Sequence, residues 1–113
     1  MATIFLLDDE RSFADNRNAI VARTVEDAIK KANELTVIDE LWLDYILTYG
    51  DTLPFLHYLT SRYLKGNPVE VRRLIFHSSA SIVKPLIDIV AAKAGITVVE
   101  FPTVRVTHTT IGE

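Results

Sequence analysis

Apolar residues fall along this chain in short runs separated by polar stretches, and their spacing predicts strands alternating with helices. Residues 3–7 are a short apolar run bounded by acids, the pattern of a buried strand. Residues 10–18 are polar and short, a loop or a single helical turn, and residues 19–23 read as a second short strand. Thr24 then suits an N-cap, with Glu26 and Asp27 in the first turn near the positive helix end. Val25, Ala28, Ile29, Ala32 and Leu35 follow at helical spacing, which predicts about three turns of amphipathic helix with one face packed on a sheet.

Residues 37–43 read as a third strand, and its apolar neighbours Trp42 and Leu43 point to opposite faces, so both faces are expected to be covered. A loop is expected over 45–52 and a helix over 53–65, with Phe55, Leu56, Leu59 and Tyr63 as its stripe and Gly66 at C′. Residues 72–76 are the fourth strand. Ser81 suits the cap of a helix running to about residue 94, in which Pro85 falls where backbone N–H groups have no intrahelical partner. Gly95 ends that helix, and residues 96–101 read as the fifth strand. The tail alternates Val104, Val106 and His108 with other residues, as an edge strand or a disordered end would. The expected division is therefore a domain over 1–102 and a tail over 103–113.

Five strands alternating with helices imply an α/β fold with a parallel sheet and right-handed crossovers. One crossover is strained. Residues 10–18 fall short of the dozen or so that usually join parallel strands. Either the chain crosses there without a helix or the second strand lies elsewhere.

Composition narrows the class. A chain of 113 residues fits one domain, and 49% hydrophobic residues argue against disorder. No apolar stretch approaches the roughly 20 residues of a membrane span. The opening Met-Ala-Thr-Ile has no basic region or cleavage site, so no signal peptide is expected. The absence of cysteine excludes disulfides, thiolate metal sites and a cysteine nucleophile, and a cytoplasmic protein is expected. The formal charge of -3 leaves no broad basic nucleic-acid face, while local phosphate ligands stay open.

The candidate chemistry lies at the ends of the predicted strands. Asp8 and Asp9 end the first run, Asp44 ends the third, and His77-Ser78-Ser79 ends the fourth. An open parallel sheet binds ligands outside the carboxyl ends of its strands. Two like charges about 4 Å apart repel by roughly 4 kcal/mol at an effective dielectric of 20, so such a cluster raises a carboxylate pKa or takes a cation. Mg²⁺, or Mn²⁺, fits, because it uses a few carboxylates and keeps positions for water and phosphate oxygens. The plainer alternative has Asp8 and Asp9 opening a solvated loop and Asp44 capping a turn. Acids at two strand ends beside a polar third favour the site.

Within it, Asp8 and Asp9 would hold the metal directly or through water, and Asp44 would be a third ligand or a nucleophile. His77 titrates near neutrality and could move a proton when a P–O bond breaks, or be a structural histidine at a strand end. Arg11 could grip phosphate bidentately, or be a surface arginine paired with Glu10 or Asp15. Ser78 and Ser79 could donate to phosphate beside the N–H groups of the helix beginning near Ser81. Lys84 reads as solvated, and His57 and His108 have no metal-ligand partner at helical spacing.

These residues resemble two related groups. The acidic pair Asp8-Asp9, Asp44 after the third strand and a serine, Ser78 or Ser79, after the fourth are similar to the response-regulator receiver domain. Glu100 stands where that family carries lysine. Leu7-Asp8-Asp9-Glu10-Arg11, the missing first helix and Phe76-His77-Ser78 more closely resemble the cyclic-phosphate-processing receiver domains, whose opening reads Asp-Asp-x-Arg and whose fourth strand ends in His-Ser. That group's Leu-Asp-His-Asp-Leu-Gly motif survives as Leu43-Asp44, with Tyr45 and Ile46 replacing its next two residues. The resemblance covers residues 3 to about 101. It implies a flavodoxin-like, receiver-like three-layer sandwich with a five-stranded parallel sheet of order 2-1-3-4-5 and a short or absent first crossover helix.

The expected function is metal-assisted chemistry on a phosphate ester, cyclic-phosphate processing above all, with a small phosphate ester, nucleotide or RNA end as partner. The alternatives are a non-catalytic receiver-like module that binds a protein or nucleotide, and a phosphoacceptor receiver phosphorylated on Asp44. Val83, Ile87, Val90 and Ala94 make one apolar stripe of helix 81–94, and Ile82, Leu86 and Ile89 make a second beside it. A second stripe suits a homodimer through this helix.

Overall fold

The apolar runs pair side by side in a mostly parallel sheet, and one residue shift in any pairing would turn its core residues to the wrong face. The computed structural model describes residues 2–44, 46–47, 50–76, 84–96, 105–106 and 110–112. In chain order the elements are β1 (Ile4–Leu7), β2 (Ser12–Phe13), β3 (Ile20–Ala22), α1 (Val25–Ala32), β4 (Val37–Ile38), β5 (Glu40–Leu43), β6 (Ile46–Leu47), β7 (Gly50–Asp51), α2 (Leu53–Leu64), β8 (Glu70–Val71), β9 (Leu74–Phe76), α3 (Lys84–Lys93), β10 (Arg105–Val106) and β11 (Thr110–Gly112). The main sheet runs β3-β1-β5-β9, all parallel. The strand expected over 96–101 lies, apart from Ile96, outside the described residues, as do Ser81 and the tail positions Val104 and His108.

Register sets the two faces. Phe5, Leu41 and Leu74 stand opposite one another, and so do Leu6, Trp42 and Ile75. Side chains alternate along a strand, so the first row faces one way and the second the other. Phe5, Leu7, Leu41, Leu43 and Leu74 share one buried cluster with Ala28 and Ala32 of α1, Phe55, Leu56 and Leu59 of α2, and Ile87, Val90 and Ala91 of α3. Phe5 stacks on Phe55 with ring centroids 5.7 Å apart. All three helices thus cover the same face of the sheet.

The opposite face is built differently. Leu6, Trp42 and Ile75 are buried there with Phe13. Phe13 meets the Trp42 indole edge-on at 5.1 Å, and the Arg17 guanidinium lies 4.4 Å from the Phe13 ring centroid. Among the described residues no helix covers this face, so the expected three-layer sandwich is seen here with two helical-layer and sheet components only. The reason is the short first crossover. Residues 8–19 join the parallel strands β1 and β3 without a helix, and they cover the sheet with one aromatic residue instead. β2 is held from outside by the tail, since Ser12–Phe13 pairs parallel with β11, and β11 pairs antiparallel with β10.

Local chemistry shortens or splits several predicted elements. Thr24 caps α1 as expected, its Oγ1 accepting from the Asp27 N–H at 3.0 Å. The helix closes after eight residues, and Leu35 lies beyond it. The predicted strand 37–43 divides at Asp39, where the N–H groups of Asp39 and Glu40 both converge on the Thr3 carbonyl and interrupt the ladder. Val37–Ile38 turns aside to pair with Glu70–Val71. The predicted loop 45–52 contains a small antiparallel hairpin, β6 with β7, in which Gly50 takes a φ of 120°. Gly95 ends α3 with φ 74°, and a Cβ there would meet the Tyr63 ring at 2.7 Å, so this glycine also lets α3 close onto α2. No helix among the described residues is long and apolar enough to cross a membrane.

Asp39 ties three strands together at the amino end of the sheet. Its Oδ2 accepts from the Thr3 N–H at 2.6 Å, and its Oδ1 accepts from Arg72 Nη1 at 3.0 Å. The Thr3 hydrogen bond first, and then the Arg72 charge, hold the Asp39 carboxyl below the usual carboxylate range. A carboxyl whose folded pKa is depressed adds stability above its unfolded pKa of about 3.9 and loses it as pH falls through the lower folded value. Asp39→Asn is therefore expected to melt lower than wild type at pH 7. The gap should close as the pH is taken below about 4, read from melting temperatures by circular dichroism across pH 2–7. A constant gap at every pH would show that Asp39 does not act through its charge.

Candidate functional site

Parallel pairing in register brings the acids together. Leu7 stands opposite Leu43, so the next residues, Asp8 and Asp44, leave neighbouring strands side by side. The ladder continues one step past the strand ends: the Asp8 N–H donates to the Ala22 carbonyl at 3.1 Å, and the Asp44 N–H donates to the Leu7 carbonyl at 3.2 Å. Adjacent strands lie about 4.8 Å apart, which sets the spacing of the two carboxylates. Both continue the alternation of Leu6 and Trp42, toward the face that carries no described helix. Asp9 follows at the start of the loop. One carboxylate oxygen from each of Asp8, Asp9 and Asp44 lies within 4.8 Å of the other two.

The three acids are not equivalent. Asp8 is fully buried, Asp44 is 7% exposed and Asp9 is half-buried. Asp8 Oδ1 accepts from the N–H groups of Glu10 at 3.0 Å and Arg11 at 2.8 Å, folding the chain into a tight turn just after β1. Its Oδ2 accepts from Arg11 Nε at 2.9 Å. Asp8 is thus both a candidate ligand and the organiser of the loop that carries the others.

Arg11 lies inside the cluster. Its Nε holds Asp8 Oδ2 and its Nη2 holds Asp44 Oδ2, with 14% of the side chain exposed. Burial works against the guanidinium, but the charges of Asp8 and Asp44 and hydrogen bonds to both outweigh it, and its pKa rises above the ordinary arginine value. Arg11 is a permanent cation here. The surface pairing with Glu10 or Asp15 that the sequence left open is not formed, and Asp15 pairs instead with Arg17 at 2.7 Å. The mutual repulsion of the acids, roughly 4 kcal/mol for a pair at about 4 Å and a dielectric of 20, is relieved from within the chain.

Arg23 is a residue the sequence reading passed over. It follows β3 at the same end of the sheet. Its Nη1 donates to the carbonyls of Asp8 and Arg11, and its Nη2 donates to Ser12 Oγ at 2.8 Å. The available signal was position: Arg23 follows the second strand as Asp8 and Asp44 follow theirs. Arg23 also lines a cleft of about 380 Å³ with Thr24, Val25, Glu26 and Leu47. The cleft therefore adjoins the acids through one shared side chain and offers two apolar contacts, Val25 and Leu47. His77, Ser78, Ser79, Tyr45 and Glu100 lie outside the described residues, and nothing of their placement enters the site.

Donor chemistry and spacing fit a hard divalent cation. Three carboxylate oxygens within 4.8 Å of one another are the kind of donor that Mg²⁺ takes. The same donors fit Mn²⁺. Comparison with protein-family models, with curated proteins and with solved structures gave no match to this chain.

The unequal burial of the acids gives a direct test. Asp8→Asn leaves Arg11 facing an amide and is expected to lower stability by about 3 kcal/mol, the range for removing one partner of a buried ion pair. Asp9→Asn is expected to change it by less than about 1 kcal/mol. Urea unfolding in metal-free buffer measures both, and equal losses would contradict this division of roles.

Proposed function

We propose that this chain is a receiver-like domain of flavodoxin type that holds Mg²⁺ or Mn²⁺ at Asp8, Asp9 and Asp44 and acts on a phosphate ester, with cyclic phosphates as the substrate class. The observation that carries the reading is the convergence of carboxylates from two strand ends within 4.8 Å. The sheet order β3-β1-β5-β9 supports it, because it is the order a five-stranded 2-1-3-4-5 sheet would show for its first four strands.

A divalent cation bound there would polarise a phosphoryl oxygen and stabilise the negative charge that builds up on it. The chain's own groups supply the rest. Asp9, half-buried, is the most accessible of the three acids, Asp44 adjoins it from the end of β5, and Asp8 fixes the loop that carries Asp9. Arg11 offers a planar pair of donors matched to phosphate oxygens. The cleft beside Arg23 gives the organic part of the ester room against Val25 and Leu47. In the proposed reaction water adds to phosphorus as His77 takes its proton, one ring P–O bond breaks, and the departing oxygen receives that proton from His77, leaving a monoester with a free hydroxyl. Ser78 and Ser79 are the proposed phosphate donors.

Turnover of 2′,3′-cyclic nucleotides with Mg²⁺ or Mn²⁺ tests the reading. Wild type is expected to be active, with Asp44→Asn and His77→Ala reduced by at least about 100-fold, the usual lower bound for losing a general acid or base. Wild type as inert as both variants would overturn the enzymatic reading.

A second reading, a binding module or homodimer working through α3, is favoured by one observation. Leu86 and Ile89 on α3 are 40% and 58% exposed, while Ile87 and Val90 on the neighbouring stripe are buried. Self-association would cover the outer stripe. Sedimentation at high protein concentration is then expected to show a dimer that Ile89→Lys dissociates, and a monomer at all concentrations would remove this reading.

A further inference from the structure

β2 owes its strand conformation to a distant segment of the chain. Ser12–Phe13 lies outside the main sheet, and among the described strands its partner is β11, in the order β10-β11-β2. Thr110 stands opposite Ser12 and Ile111 opposite Phe13. β11 is the middle strand of the three, held on its other side by β10. Phe13 is also the ring that covers Trp42 on the thin face of the main sheet, where both are buried with Leu6 and Ile75. One short strand therefore carries β11 on its backbone and the cover of Trp42 on a side chain.

The crossover loop is fastened differently on the two sides of Phe13. Upstream, the Asp8 carboxylate accepts from the N–H groups of Glu10 and Arg11. Arg23 donates to the Asp8 and Arg11 carbonyls and to Ser12 Oγ. None of these bonds involves β11. At Phe13 the carbonyl accepts from the Asn16 N–H at 3.2 Å, a local turn that moves with it. Phe13 is tied to the rest of the molecule by its packing in the Trp42 cluster and by its pairing with β11. Strands of two and three residues are marginal by themselves, and segments held by few hydrogen bonds open before the core does.

We propose that β10 and β11 form a strap that clamps the crossover loop onto the sheet at Ser12–Phe13 and opens as a unit while the main sheet stays folded. When it opens, Phe13 lifts from Trp42 and the loop is released from residue 13 to residue 18. The turn from Asp8 to Ser12 stays fastened by the Asp8 carboxylate and Arg23. Pairing from outside thus does the work of the covering helix that the short crossover lacks. The strap acts with or without a metal at the acids.

The chain has one tryptophan, so Trp42 fluorescence reports the cover directly. The experiment measures acrylamide quenching of Trp42 and amide hydrogen exchange in wild type and Ile111→Pro, both as the whole chain. Proline in a middle strand removes an N–H from one of its two pairings. In Ile111→Pro the quenching constant is expected to rise at least about twofold and the β2 amides to exchange at least about tenfold faster, while the amides of Leu6, Arg11, Leu41 and Trp42 keep wild-type protection. Unchanged quenching and unchanged β2 exchange in a folded Ile111→Pro would overturn the strap. Equal loss of protection across β1 and β5 would also overturn it, because β11 would then belong to the same cooperative unit as the core. Should Ile111→Pro not fold, exchange in wild type decides. The β2 and β11 amides are then expected to exchange through an opening that leaves β1 and β5 protected, and exchange only by global unfolding would overturn the separate opening.

Discussion

The in-register parallel pairing of β1 with β5 is the constraint on which the site depends. It places Leu7 opposite Leu43, and so makes Asp8 and Asp44 neighbours across two strands that are more than thirty residues apart in sequence. The pairing is itself fixed by burial. Phe5 and Leu7 must meet Leu41 and Leu43 on the helical face, while Leu6 must meet Trp42 on the other. A slip of one residue would exchange the two sets, putting Leu6 against the helices and Phe5 and Leu7 on the face packed by Phe13, so that neither cluster kept its packing. The core therefore sets the carboxylate spacing, and Arg11 then closes the gap that the core leaves between two negative charges.

The thin face of the sheet and the site are parts of one structure. The loop that replaces a first helix runs from Asp8 to Ala19 and carries Asp8, Asp9 and Arg11 before it lays Phe13 on Trp42. Arg23 braces that loop from β3, and β11 braces it from outside. A helix in this crossover would have carried Arg11 away from the strand ends along its own axis. The short loop keeps the guanidinium within hydrogen-bonding reach of both acids. The economy of the first crossover, a difficulty when only the count of residues is considered, is what holds a cation at the end of the sheet.

Much of this was legible in the chain. The positions of the four strands in the main sheet followed from short apolar runs, and the caps at Thr24 and Gly95 followed from residue type. The convergence of Asp8, Asp9 and Asp44 followed from their common place at strand ends. What escaped had physical reasons. The break at Asp39 depends on two N–H groups sharing the Thr3 carbonyl, a tertiary event that periodicity does not carry. The pairing of Ser12–Phe13 with Thr110–Gly112 joins segments almost a hundred residues apart, each too short to show a strand pattern. Arg11 was recognised as a phosphate candidate, but its partners lie three and thirty-three residues away. Nearby acids in sequence, Glu10 and Asp15, were the obvious and mistaken alternatives. Local charge proximity is a poor guide wherever a turn such as that made by Asp8 reverses the chain.

The sequence posed the acid cluster as a choice between a raised carboxylate pKa and a bound cation, and the structure supplies a third member of that set. A guanidinium already pairs with two of the carboxylates, so the cluster is electrostatically tolerable before any metal arrives. Stability of the fold is therefore no argument for a metal. The argument for one is the gathering of three carboxylates at the open end of a parallel sheet, beside a cleft. Asp8, whose oxygens are engaged by the Glu10 and Arg11 N–H groups and by the Arg11 side chain, would be retained for the loop alone. Asp9 is not among the acids that Arg11 bridges, and it is the most exposed of the three.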